Sequence, residues 1–290
     1  TDAAGGVNSL HYDHATNPLL VTEITDRFGR SATISYDAEC RLVAVTDILG
    51  LQSSVTYEGA GTLVDSMTTV YGTTQFEHYE EGRFKRLTIT DPAGGVEKYE
   101  FRHDEPALNG WDEPEPDGHT VELLRYGNTF FWNKDAMAQG LGHDLTKATV
   151  MHWMRTRDET TGTLASIKRP GLLRQWLGYA GQDKARISEG ETRNVSDRSQ
   201  VFDDARDTTQ SRQTTYNALG NVTSTTDPLG RQLTYIHDAS GIDLKEVRMT
   251  TDGGDELVAA FTHYPDGRHL VHTATDAAGA TTTFTYTPQG

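Results

Sequence analysis

Six copies of the pattern Thr-Asp-x-x-Gly punctuate this 290-residue chain, and they confine it to folds built from short segments joined by tight turns. Their aspartates are Asp2, Asp26, Asp47, Asp91, Asp227 and Asp276, and their glycines are Gly5, Gly29, Gly50, Gly94, Gly230 and Gly279. An aspartate that opens a turn accepts hydrogen bonds from the backbone ahead of it, and a glycine three residues later tolerates positive φ. Pro92 and Pro228 follow their aspartates, where a fixed φ suits a type I turn. A type I turn closed by a left-handed glycine is a common hairpin connection, so each copy predicts a β-hairpin bend.

The residues after each bend alternate. Leu51, Ser53, Val55 and Tyr57 share one parity, as do Ala280, Thr282, Phe284 and Tyr286. Period two in Thr- and Val-rich stretches predicts half-buried strands, with the tyrosine on the more apolar face. A tyrosine follows each glycine, seven residues on at Tyr12, Tyr36, Tyr57 and Tyr286, and five on at Tyr99 and Tyr235. A second bend then opens on Asp or Asn, as in Tyr36-Asp37-Ala38-Glu39-Cys40-Arg41-Leu42 and Tyr216-Asn217-Ala218-Leu219-Gly220-Asn221-Val222. Looser versions start at Tyr57 and Tyr264. One unit is strand, turn, strand, turn, and its length is the 57 − 36 = 21 residues from Tyr36 to Tyr57. Recurring tyrosines cover apolar area with the ring while the hydroxyl reaches a polar partner, which predicts a ladder tying neighbouring hairpins.

The run Tyr36-Asp37-x-x-x-Arg41-Leu42-x-x-x-Thr46-Asp47-x-x-Gly50 resembles the YD repeat of the Rhs family, also found in teneurins and in the C subunits of insecticidal toxin complexes. The stretch from Tyr216 to Val222, with Thr226-Asp227-Pro228-Leu229-Gly230-Arg231, is closer still. The likeness covers about residues 1–100 and 201–290. Cys40 stands where the repeat usually has glycine, so that turn needs a left-handed cysteine or a rebuilt geometry.

Residues 101–200 break the period. Glu113-Pro114-Glu115-Pro116-Asp117-Gly118 is an acidic, proline-rich loop. Asn128–Trp132 is an aromatic strand, and Asn133 to Gly140 reads as a short helix capped by Asn133 and ended by Gly140. Ala148–Met154 is a strand covered on both faces, and Leu164–Lys168, Leu173–Tyr179 and Arg186–Glu189 are further strands. Residues 190–212 are polar, a loop or an edge hairpin. The organisation expected is all-β: YD repeats over 1–100, an atypical strand-rich insertion with a short helix over 101–200, and YD repeats over 201–290. The repeats form consecutive antiparallel hairpins in a long, curved sheet.

Composition excludes several functions. With 26 basic and 42 acidic residues the formal net charge is −16, and no basic cluster suits a nucleic-acid partner. No apolar run reaches the roughly 20 residues of a membrane-spanning helix. The single cysteine, Cys40, forms no internal disulfide and no Cys-based zinc site. The 11 histidines lack metal-ligand spacing, and Asp252-Gly253-Gly254-Asp255-Glu256 is the nearest approach to a calcium loop. No nucleophile elbow, phosphate loop or dinucleotide fingerprint is present. No cofactor, metal or catalytic residue is expected.

The resemblance implies a strip of sheet that spirals into a hollow shell around a C-terminal toxin or effector domain. The chain starts at Thr1 and reads as a piece of a longer protein. The expected role is a non-catalytic structural shell segment of a secreted or cell-surface protein. Its partners would be flanking repeats and an enclosed effector domain. The alternative is an adhesion or carbohydrate-binding module that presents Trp132, Trp153 and Trp176 to a glycan or surface protein. Burial of those tryptophans favours the shell.

Overall fold

A computed structural model describes residues 6–108, 114–116, 119, 123–156, 159–183, 188–202, 209–251 and 254–287. Among them the chain is all-β, with 21 strands, one five-residue helix and two short 3-10 turns. Its contacts divide it into two compact units, one of residues 1–100, 131–147 and 286–290, the other of residues 101–130 and 148–285.

In the first unit eight strands form an antiparallel meander, each paired with the next in sequence. They are β1 (Ser9–His11), β2 (Glu23–Thr25), β3 (Ser31–Tyr36), β4 (Leu42–Thr46), β5 (Gln52–Tyr57), β6 (Val64–Thr69), β7 (Gly72–Glu81) and β8 (Phe84–Thr90). β9 (Val96–Asp104) and β10 (Tyr126–Trp132) are divided between the units. Between residues 6 and 107 no described apolar side chain is fully buried. The meander is thin, and its apolar rows, such as Ile34–Val45 and Val55–Met67, are only partly covered. The opposite face carries hydroxyl pairs between adjacent strands: Thr25 with Ser31 at 3.0 Å, Thr56 with Ser66 at 2.7 Å and Thr68 with Thr73 at 2.8 Å. Cross-strand pairs of this kind are the unit of sheet stabilisation where no deep core exists.

The helix α1 (Lys134–Ala138) lies in the first unit as well. Asn133 caps it, its side-chain oxygen accepting the Ala136 N–H at 3.0 Å, and Gly140 follows at φ 72°.

The second unit has an antiparallel meander of its own through β11 (Thr149–Arg155), β12 (Thr160–Lys168), β13 (Gln175–Tyr179), β14 (Val195–Val201), β15 (Thr209–Tyr216), β16 (Val222–Thr226), β17 (Gln232–His237), β18 (Leu244–Thr251), β19 (Gly254–His263), β20 (Val271–Asp276) and β21 (Thr281–Thr283). Most of the deeply buried apolar groups are here, among them Leu124, Phe130, Val150, Met154, Trp176, Leu177 and Val201. β11 is not covered equally on both faces: Val150, His152 and Met154 are buried while Met151 and Trp153 are half-buried. The polar stretch 190–212 supplies β14 and β15, both paired on each side and so interior to the meander. Ser188 and Glu189 are not in a strand, and Arg186 lies outside the described residues.

Candidate functional site

The hairpin bends come first. At Asp26 the backbone closes with Gly29 N–H on the Asp26 carbonyl at 3.0 Å, while the carboxylate accepts the N–H groups of Phe28 at 2.8 Å and Arg30 at 3.0 Å. Asp47, Asp91, Asp227 and Asp276 repeat this arrangement, and Gly50, Gly94, Gly230 and Gly279 all sit near φ 80°. Asp2 and Gly5 lie outside the described residues. Three of these carboxyls are held below the usual range by a cation bonded to the side chain: Arg30 on Asp26, Lys134 on Asp91 and Arg231 on Asp227. The second class of bend is the same motif. Asp37 and Asn217 each accept two backbone N–H groups. Cys40 takes the left-handed conformation that glycine holds elsewhere, at φ 63°.

The aromatic residues obey a rule that joins one hairpin to the next. Tyr36 faces Leu42 across β3 and β4, and the Tyr57 hydroxyl donates to the Leu42 carbonyl at 2.7 Å. Tyr57 faces Val64 across β5 and β6, and His78 Nε2 bonds the Val64 carbonyl at 2.9 Å. Trp153 faces Leu164, whose carbonyl takes the Tyr179 hydroxyl at 2.7 Å. Tyr179 faces Val195, whose carbonyl takes the Tyr216 hydroxyl at 2.8 Å. Tyr57, His78, Tyr179 and Tyr216 therefore each reach back to the residue opposite the aromatic before them. At Tyr36, Tyr57, Trp153, Tyr179 and Tyr216 the ladder register shifts beside the ring. Such a bulge re-aims a side chain.

Two members of this series, His78 and Trp153, are not tyrosines. The step of 21 from Tyr36 to Tyr57 leads to 78 and then to 99, which was the signal available for His78. The rest of the tyrosines vary. Tyr99 stacks on Phe131 at 4.5 Å, and Tyr235 is a mid-strand residue facing Val247. The position that precedes the bend in that hairpin is His237, which faces Leu244 beside a register shift. Tyr12 and Tyr286 are exposed, and the Tyr264 hydroxyl bonds the Phe284 carbonyl at 2.8 Å. Where the tie between hairpins is seen, it is a ring-borne donor on a backbone carbonyl.

A polar row crosses the buried side of the second unit: His152, Ser166, Trp176, Ser199 and Ser211 stand opposite one another in turn on β11 to β15. His152 Nδ1 lies 3.2 Å from Asn128 Oδ1, and Arg174 donates to Ser166 Oγ at 3.0 Å. Burial is the main reason that the His152 imidazole is pushed down to about 3, with Arg174 and Arg155 adding to it, so the ring is neutral. Asp197 accepts hydrogen bonds from Ser199, at 3.0 Å, and from Ser211, and His119 Nε2 stands 3.8 Å from its other oxygen. Both serine hydroxyls point at a carboxylate and not at an imidazole, so neither is set up as a nucleophile. Trp132 and Trp176 are buried, and Trp153 is half-buried with its Nε1 donating to Thr129 Oγ1 at 2.9 Å.

No group of three or more His, Cys, Asp or Glu side chains among the described residues is placed to hold a metal ion. Asp252 and Gly253 fall outside the described residues, while Asp255 and Glu256 accept the hydroxyls of Thr250 and Thr251.

Residues 216–242 match the family model described as RHS Repeat. No curated protein matches the chain. Among solved structures, the TcdB2-TccC3 crystal structure is 13% identical over 90% of this chain and 16% of that one, with a TM-score of 0.32. A Tc holotoxin pore from Photorhabdus luminescens is 12% identical over 97% of this chain and 18% of that one, with a TM-score of 0.31. A porin-like protein from Bacteroides uniformis is 10% identical over 92% of this chain and 86% of that one, with a TM-score of 0.20. The chain spans 16% and 18% of the length of the two toxin chains.

Proposed function

We propose that this chain, whose residues 216–242 match the RHS Repeat model, is a non-catalytic stretch of wall in a secreted or surface protein, helping to enclose an effector domain of the same longer chain. One observation carries this reading: an aromatic in each of several successive hairpins is fastened to the carbonyl opposite the aromatic before it. A device that recurs from hairpin to hairpin builds a continuous surface, whereas a catalytic site concentrates its unusual residues in one place. The repeats of residues 6–107 own no fully buried apolar side chain, so they draw stability from the hairpins on either side, and flanking repeats are the natural partners.

Burial of Trp132 and Trp176 favours the wall over a glycan-binding platform, because a stacking sugar needs an exposed ring face. No helix among the described residues is long and apolar enough to cross a membrane.

The test is protease protection in the full-length protein. The segment that follows the repeats should resist digestion in the intact protein and become sensitive when Tyr57→Ala and Tyr216→Ala are introduced together. Equal digestion rates in both proteins would remove the enclosure reading. A glycan array that retained the isolated chain through its tryptophans would favour the adhesion alternative.

A further inference from the structure

We propose that Arg198 and Arg212, with Arg231 beside them, form a binding site for a phosphoryl group. In the β14–β15 pair, Arg198 stands directly opposite Arg212. Side chains so placed have Cβ atoms about 4.5–5.5 Å apart, and like charges in that position are destabilising. Both residues are exposed, and neither guanidinium makes a hydrogen bond or ion pair within the described residues.

The pair is unusual for this chain. Acidic residues outnumber basic ones 42 to 26, and Arg30, Arg41, Arg86, Arg125, Arg248 and Arg268 each hold a carboxylate. Two arginines face to face amid a surplus of acid call for an anion, and among the described residues none supplies it.

The nearest acid on the adjoining bend is already committed. Gln213 pairs with Thr226, which brings Arg212 beside Asp227. One Asp227 oxygen accepts the N–H groups of Leu229 at 2.9 Å and Arg231 at 3.0 Å, and the other takes Arg231 Nε at 2.6 Å. Asp227 fixes Arg231 in place and has no oxygen left over for Arg212.

Next to this point lies a cavity of about 260 Å³, lined by Arg212 and Arg231, by Thr225 and Gln232, and by Leu233 and Met249, with Asp227 at its edge. Guanidinium groups meet phosphate oxygens with paired N–H bonds. Arg212 supplies one such fork, Arg231 offers the guanidinium N–H groups that Asp227 leaves free, Arg198 adds charge from the next strand, and Thr225 and Gln232 offer neutral hydrogen bonds. Leu233 and Met249 give an apolar floor on which the organic part of a phosphate ester can rest. Free phosphate and a phosphomonoester share the charged head, and the floor distinguishes them.

The experiment is calorimetric titration of the protein at low salt with inorganic phosphate and with phenyl phosphate. Both should bind, more weakly as salt is raised. Arg198→Gln and Arg212→Gln should each weaken binding by about tenfold or more, while Lys85→Gln in the other unit leaves it unchanged. Tighter binding of phenyl phosphate assigns the site to an ester, and equal binding assigns it to the free ion. A second measurement guards against unfolding. Without phosphate, Arg212→Gln should melt no lower than the parent, because it removes a like-charge contact. With phosphate, only the parent should gain in melting temperature. Flat titrations of the parent at millimolar ligand, or binding that survives both substitutions, would overturn the proposal.

Discussion

The hydroxyl of Tyr216 donates to the carbonyl of Val195 at 2.8 Å, and Val195 is the residue that faces Tyr179 across β13 and β14. The same relation links Tyr57 to Tyr36 through Leu42, although in the first case a polar stretch of variable spacing intervenes and in the second the step is a regular 21 residues. The contact is therefore kept while the loop length changes, which marks it as the feature that organises the sheet.

Removing one such hydroxyl gives a defined loss. Tyr216→Phe keeps the ring and deletes a neutral hydrogen bond, so stability should fall by about 0.5–1.5 kcal/mol. Urea titration monitored by circular dichroism reads the shift. A change within error for both Tyr57→Phe and Tyr216→Phe would mean that ring packing, and not the hydroxyl, ties the hairpins.

Among the described residues of the first repeats, Cys40 is the one bend residue that holds a left-handed backbone with a side chain, at φ 63°. That conformation costs a non-glycine residue roughly 1–2 kcal/mol, and glycine gives back part of this through its freer unfolded chain. Cys40→Gly should stabilise the protein by about 1 kcal/mol, and Cys40→Ala should not. Midpoints of denaturant unfolding for the two variants check both halves of the prediction.

Glycine positions separate backbone cost from collision. A Cβ at Gly50 would meet nothing within 4 Å, so Gly50→Ala suffers only the left-handed penalty at φ 81°, on the order of 1 kcal/mol. At Gly72, itself at φ 117°, a collision adds to the backbone cost, since a Cβ there would come within 2.7 Å of Pro92 Cβ. Gly72→Ala should therefore lose clearly more stability than Gly50→Ala. Equal losses in thermal melts would show that the β6–β7 bend can move aside.

His152 predicts a pH dependence with a definite sign. Its folded-state value is depressed to about 3 by burial, with Arg174 and Arg155 acting in the same direction, against 6.5 for the free group. Between these values the unfolded chain binds a proton that the folded chain does not. Stability from this group is fully present above about 6.5 and is lost as the pH falls toward 3, with a limiting slope of about 1.4 kcal/mol per pH unit. His152→Gln should flatten the stability profile between pH 6 and 4 relative to the parent. An unchanged slope would mean that the ring reaches solvent.

The sequence was most legible where chemistry is local. Asp26, Asp47 and Asp227 could be assigned to bends because the carboxylate, the turn and the glycine lie within five residues. The helix cap at Asn133 was legible for the same reason. What could not be read was pairing across strands. His78 occupies a tyrosine place but is a different residue type, and Tyr235 sits two residues short of the position that His237 fills. Trp153 belongs to the series only because Leu164 faces it, a register set by the fold. The row from His152 to Ser211 draws on five strands separated by loops of unequal length, so no spacing in the chain announces it. The Arg198–Arg212 opposition was hidden in a stretch read only as polar.

Because the rings of Tyr57, His78, Tyr179 and Tyr216 each reach only as far as the carbonyl opposite the previous ring, such a hairpin carries both a plug for the one behind and a socket for the one ahead. Gene duplication or loss of such a module would leave every remaining junction intact. Chain length is then free to drift under selection, and a sheet of this kind can lengthen by counting modules instead of redesigning a core.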